Sequence, residues 1–272
     1  MILQAGWGAA LVCTLSACAA CGGCGHKEEK VGTVVGPPLQ IAPPAESSSP
    51  DVTPVPSGPP ITATFIDLSA SGAPLTVRAC EQIVVSVVKG KASALGDSLA
   101  EGDFLVTTGQ GPFTVQGSGL AVVAAVRTDP CTPPAEKDPK LALGHTTTRA
   151  ATASELTWAG GKMHAHLDVE KDLTGAYAGR LAGSVPMPEH LHEGTWEIFC
   201  ANDANGTFLL DGQPKHLGPR QVLVIPPSTK HAFTPDQGSS FSGVQFYWPR
   251  GPEQRFRELD RKEHPTKPQK SR

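Results

Sequence analysis

Glycine and proline interrupt this chain at short intervals, 29 and 26 of them among 272 residues. Proline lacks the amide hydrogen that a helix interior needs, and glycine loses the most backbone entropy there, so long helices are excluded. Between the breakers stand short runs rich in valine and threonine. Their even spacing, with turn residues between them, reads as an all-β sandwich or barrel and not as βαβ units. The expected strands are 61–68, 75–79, 83–89, 103–107 and 120–126 in the first half. In the second half they are 162–169, 176–181, 197–200, 207–210, 221–225 and 242–248. The length suits one large domain or two of ordinary size. Charged residues are 18% of the chain and the formal net charge is −3, so no basic footprint for nucleic acid exists. A helical bundle, a coiled coil and a polytopic membrane protein are excluded as well.

The first 60 residues do not share this pattern. Residues 1–26 contain no Lys, Arg, Asp or Glu. The apolar stretch 2–17 is too short for a comfortable bilayer span and has the length of a signal h-region. It closes with Leu15-Ser16-Ala17-Cys18, which resembles the bacterial lipobox, although no basic residue stands near Met1. The resemblance implies a cleaved signal over 1–17, lipidation of Cys18, and a membrane-anchored protein of the cell envelope facing the periplasm or exterior. Cys21 and Cys24 stand at CxxC spacing without a second pair or a strand-helix context, and read as low-complexity sequence after the anchor. Nine prolines and Ser47-Ser48-Ser49 in 31–60 make 18–60 a tether that cannot bury enough apolar area to offset its ordering entropy.

The two halves beyond residue 60 look like one another. Glu81 precedes Gly90 by nine positions and Glu197 precedes Gly206 by nine. Phe104-Leu105-Val106-Thr107 lines up with Val222-Leu223-Val224-Ile225. Two β-units, 61–128 and 151–253, are therefore expected, with a connector over 129–150. Residues 254–272 should form a short surface helix and a polar tail. Cys80 and Cys131 bracket the first unit and are candidates for a disulfide in an oxidising compartment.

Chemistry concentrates in Pro188-Glu-His190-Leu-His192-Glu-Gly-Thr-Trp-Glu197 and in Pro226-Pro-Ser228-Thr-Lys-His231. Histidines at i and i+2 on a strand share a face, and after a short turn Glu197 can start the neighbouring antiparallel strand beside them. Three imidazoles and a carboxylate suit a first-row transition metal and leave coordination positions open for water or substrate. The order of these residues, with Gly206 and Gly218 between them, resembles the two characteristic motifs of the cupin superfamily, with Ser228 where glycine is usual. The resemblance implies jelly-roll type β-barrels, a bicupin, with the metal held in the second barrel by His190, His192, Glu197 and His231. The metal would be divalent Mn, Fe, Ni, Cu or Zn. The same alignment puts Pro74, Thr76 and Phe113 of the first unit opposite the three histidines and keeps only Glu81, which implies a metal-free barrel.

Other residues fall into place around that motif. Trp196, Phe199, Phe233 and Tyr247 are candidates to line the pocket, and Glu193 is a candidate outer partner of the ligands. Strand alternation sends Cys200 to the face away from the pocket. His164-Ala-His166 with Glu170 mimics the motif but lacks a proline-led third histidine at the matching distance, so these read as strand residues. His216 is expected in a turn, and His26, His145 and His264 in polar connecting stretches. Two functions fit. One is a metal-dependent oxygenase or isomerase of a small polar molecule, with Glu197 as a candidate base. The other is a non-catalytic, lipid-anchored ligand- or metal-binding module. A homodimer is compatible with either.

Overall fold

The structure, a computed structural model, describes residues 34–35, 59–128 and 142–265. Among the described residues it is all-β apart from one short helix and one 3-10 turn. The first unit comprises β2 (Ile61–Leu68), β3 (Ala73–Val77), β4 (Glu81–Ala94), β5 (Asp97–Ala100), β6 (Phe104–Thr108), β7 (Gly111–Arg127) and β8 (Gly144–Thr148). Its sheet runs β2-β7-β4-β6-β8, with β3 added to β7 and β5 to β4. The two long strands β4 and β7 carry the sheet over onto itself, and glycine makes the bend. Gly90, Gly117 and Gly119 all have positive φ, and a Cβ on any of them would lie 2.0–2.1 Å from a carbonyl oxygen of the facing strand. The interior of this unit is apolar, filled by Val77, Val85, Leu105, Phe113, Val115 and their neighbours.

The second unit has two sheets. One contains β9 (Ser154–Trp158), β10 (Met163–Val169), β11 (Tyr177–Gly183), β13 (Trp196–Asp203), β16 (Gln221–Ile225) and β18 (Phe241–Trp248). Its order is β1-β16-β13-β18-β11-β10-β9, where β1 is Val34–Val35. The other sheet orders β12 (Met187–His190), β17 (His231–Pro235), β14 (Gly206–Leu210) and β15 (Gln213–Leu217) as β12-β17-β14-β15. Phe199, Phe208, Phe233, Phe241 and Tyr247 pack between the sheets. The helix α1 (Gln254–Glu263) covers the β9 edge. Phe256 stacks on Trp158 at 5.4 Å, and Asp260 accepts the Thr157 N–H. An exposed strand edge is thereby closed to further pairing.

Strand alternation gives the seven-stranded sheet of the second unit a second apolar face. Ile198, Cys200, Val244 and Phe246 on that face pack against Val84, Phe104, Val106 and Val122 of the first unit. Gln82 crosses the same seam, donating to the Asp172 carbonyl and accepting from the Thr174 N–H. The two units thus share one core.

Several expectations change. The repeat is only partial, since the first unit is one folded-over sheet and the second is two sheets. Gly144–Thr148 lies within the expected connector but pairs with β6, which places His145 on a strand, 3.3 Å from Asp97. His216 lies on β15, not in a turn. Val34 and Val35 fall within the expected tether yet pair with Leu223 and Val222. Cys80 is disulfide-bonded. Cys200 is free, so the partner of Cys80 lies outside the described residues, as does Cys131. Cys18, Cys21, Cys24, His26 and the rest of the expected signal and tether, apart from Pro59 and Pro60, also lie outside them.

Candidate metal centre

His190 ends β12 and His231 opens β17, and the two are paired directly across the four-stranded sheet. Their rings are 4.2 Å apart. Glu197 is the second residue of β13, in the opposite sheet. His190 and His192 therefore do not share one strand, and Glu197 is not on a strand adjacent to them. His192 lies in the connection 191–195, which leaves one sheet and enters the other, and the donor set closes across the sandwich. One ligand atom from each of His190, His192, Glu197 and His231 lies within 4.8 Å of the others. This group could hold a metal ion.

The local backbone explains how the two motifs meet. The Ser228 N–H donates to the His192 carbonyl at 2.8 Å, joining the first motif to the turn before β17. Ser228 has φ +62, a left-handed conformation that glycine adopts without steric cost. The resemblance to a motif with glycine here thus has a conformational basis. Gly206 acts by space. A Cβ there would meet the Phe233 ring at 2.6 Å and the Thr234 carbonyl at 2.5 Å.

Hydrogen bonds orient the imidazoles. His190 Nδ1 lies 2.9 Å from the Pro188 carbonyl and His231 Nδ1 2.9 Å from that of Thr229. A carbonyl oxygen can only accept, so Nδ1 carries the proton in both and Nε2 keeps its lone pair for a metal. His192 Nε2 and His231 Nε2 each stand 3.1 Å from Glu197 Oε2. These three atoms are buried, and none has an aligned hydrogen-bond partner. Buried polar atoms are ordinarily satisfied, and a cation at their point of convergence would satisfy all three.

The electrostatics agree with that donor set. Glu197 is only 4% exposed. Burial raises its carboxyl pKa, but His192 and His231 outweigh this and hold it well below the usual carboxylate range. Burial opposes charge on His231 too, yet Glu197 raises its pKa above that of an ordinary imidazole. Burial lowers the pKa of His190, and the nearby His231 adds to the effect.

Gln245 was not foreseen from the sequence. Its Nε2 donates to Glu197 Oε1 at 2.6 Å, and it is 2% exposed. The available signal was a polar residue at an inward position, in step with Phe241, Gly243 and Tyr247 on β18.

Of the expected lining aromatics, Phe199, Phe233 and Tyr247 occupy the interior of this unit. The Tyr247 ring meets the His192 ring edge-on at 5.3 Å. Trp196 does not line the site. It is one residue from Glu197, so alternation turns it to the other face, against the core shared by the two units. Glu193 is exposed in its turn. Cys200 lies on the shared core, away from the ligands, and burial pushes its thiol pKa up. His164 pairs with Glu155, whereas Glu170 pairs with Arg257, so this second His-x-His does not assemble a ligand set.

No known sequence-family profile matches the chain, and no curated protein sequence does. Solved structures do. An IolB-like protein from Salmonella typhimurium LT2 superposes with a TM-score of 0.53 at 11% identity, covering 71% of this chain and 84% of that one. A variant of Bacillus subtilis oxalate decarboxylase gives 0.52 at 11% identity, covering 70% and 68%. Both are cupin-type proteins. At this identity the likeness is one of fold.

Proposed function

We propose that the second unit is a cupin-type metal site whose His190, His192, Glu197 and His231 hold a divalent transition metal and present its open positions to a small polar molecule. The observation that carries this reading is the convergence of three buried polar atoms, none with an aligned hydrogen bond, on one point. Neutral imidazole and carboxylate suit Mn, Fe, Ni, Cu and Zn. Manganese is the first metal to test, because a similar structure is described as having Mn(II) centres. When bound, the ion supplies Lewis-acid or redox chemistry at its open positions. Gln245 holds one oxygen of Glu197 and leaves the other for the ion or for a proton of the substrate.

The preferred activity is that of a metal-dependent oxygenase or isomerase. Metal-stripped protein reloaded separately with each of the five ions is assayed for oxygen uptake and for isomer formation on a panel of small hydroxy acids and sugars. Turnover that depends on one ion and is lost in Glu197→Gln supports it. A second reading is a non-catalytic binding module with the same donor set. Stoichiometric metal without turnover on any substrate of the panel favours that module.

The chain is further proposed to be lipid-anchored through Cys18 on a bacterial envelope, with Cys80 bonded to Cys131. The bonded state of Cys80 supports an oxidising compartment. Non-reducing peptide mapping that links Cys80 to any other cysteine would overturn the pairing.

A further inference from the structure

A cleft of about 380 Å³ is lined by residues of both units. Its polar wall arises from strand alternation. On the outer face of the large sheet, the apolar rows that build the shared core end in polar residues on successive strands. β13 runs from Ile198 and Cys200 to Asn202, β18 from Phe246 and Val244 to Ser242, β11 from Ala178 to Arg180, and β10 offers His166. The first unit supplies the facing wall with Ser86, the irregular stretch of β4 between Val87 and Lys89, and Glu101 with Gly102. A β-bulge at such a place re-aims side chains toward a site.

Two buried polar atoms on this cleft have no partner. One is Ser86 Oγ, on a residue 1% exposed and in line with Val84 and Val88, and the other is His166 Nδ1. Their residues come from different units and line the same cleft. A serine in an otherwise apolar row would cost less as alanine or valine unless something meets its hydroxyl. Gly102 keeps room for the guanidinium, because a Cβ there would stand 2.7 Å from Arg180 Nη1.

Charge narrows the ligand class. Asp168 binds Arg180 through Nε and Nη2, and its side chain is fully buried. That pairing neutralises the cation and leaves Nη1 as a donor. Burial, with Arg180 beside it, lowers the His166 pKa and keeps the ring neutral. Glu101 adds a carboxylate at the rim. The cleft therefore has no excess positive charge to hold an anion. Two hydroxyls, a carboxamide, an imidazole and a guanidinium N–H mix donors and acceptors around apolar Val88 and Val244. Such a wall matches a molecule whose groups each donate and accept.

We infer that this cleft is a second small-molecule site, separate from the metal centre, for a neutral polyhydroxy compound of monosaccharide size. Its volume lies within the range of small-ligand pockets, roughly 300–1,000 Å³. The test uses the full chain with glucose, glucuronate and glucosamine, which differ mainly in charge, and reads binding by saturation-transfer NMR and titration calorimetry. Saturable glucose binding, weakened at least tenfold in Ser86→Val and in Asn202→Ala but unchanged in His190→Ala, supports the proposal. The Asn202→Ala variant, at a half-buried position, retains a readout if Ser86→Val does not fold. Absence of saturable binding overturns the proposal. Tenfold preference for the charged glucuronate or glucosamine overturns the ligand class. Loss of binding in His190→Ala places the sugar at the metal centre and overturns the second site.

Discussion

At the residue scale the site depends on the two oxygens of Glu197 having different tasks. Gln245 holds Oε1 while Oε2 faces His192 and His231. Replacing Gln245 by Ala leaves a buried carboxylate oxygen without its donor, which should cost about 1–3 kcal/mol in urea unfolding. Metal affinity should fall roughly 10–100-fold in a chelator competition, the usual effect of losing an outer partner of a ligand. Metal affinity unchanged in that variant would show that Gln245 only packs. A pH dependence follows from the same residues. In the metal-free protein the lowered Glu197 pKa gives stability that is present above its unfolded value and lost as pH falls through its folded value. The raised His231 pKa gives stability present below its unfolded value and lost as pH rises through its folded value. The metal-free protein should therefore gain most from this pair in mildly acidic solution. Ligation requires neutral imidazole, so the thermal shift on adding metal should grow as pH rises through the His231 titration. A shift that shrinks instead would mean that His231 does not ligate.

At the element scale, strand periodicity was legible and sheet assignment was not. Ile61–Leu68 and Gln221–Ile225 match the expected strands to the residue, the first a β-branched and aromatic run that starts after Pro60 and the second an apolar run that stops at Pro226. The strands β5, β8, β9, β12, β15 and β17 do not stand out in the sequence. They are four- or five-residue segments, and His190, Lys215, His216 and His231 break their apolar pattern. Without β12 and β17 as a separate sheet, Glu197 was expected beside the histidines and not opposite them. Trp196 was misplaced for a related reason, since an aromatic next to a ligand on a strand must face away from it. The four ligands themselves were legible because their spacing is set by one short connection and one turn. That turn gives a further test. Ser228→Gly should raise stability by about 1 kcal/mol, since it removes the steric cost of a left-handed residue, measured as a higher urea midpoint. A lower midpoint would show that the serine hydroxyl has a role that glycine cannot fill.

At the scale of the whole molecule the two units share a continuous core. Phe246 is fully buried in it, among residues of both units. Phe246→Ala should cost about 3–5 kcal/mol, and the loss should appear in a single unfolding transition followed by tryptophan fluorescence and circular dichroism alike. Two separate transitions, with one unaffected, would mean that the units are energetically independent. The apolar first unit, on this account, supports the sheet from which Glu197 and Gln245 project. The most direct test of the metal centre is elemental analysis of the purified full-length chain beside His190→Ala and His231→Ala. About one equivalent of a single transition metal in the parent, with at least a tenfold loss in both variants, is the predicted result. Less than about a tenth of an equivalent in the parent after incubation with each candidate ion, or equal metal in all three proteins, would contradict it.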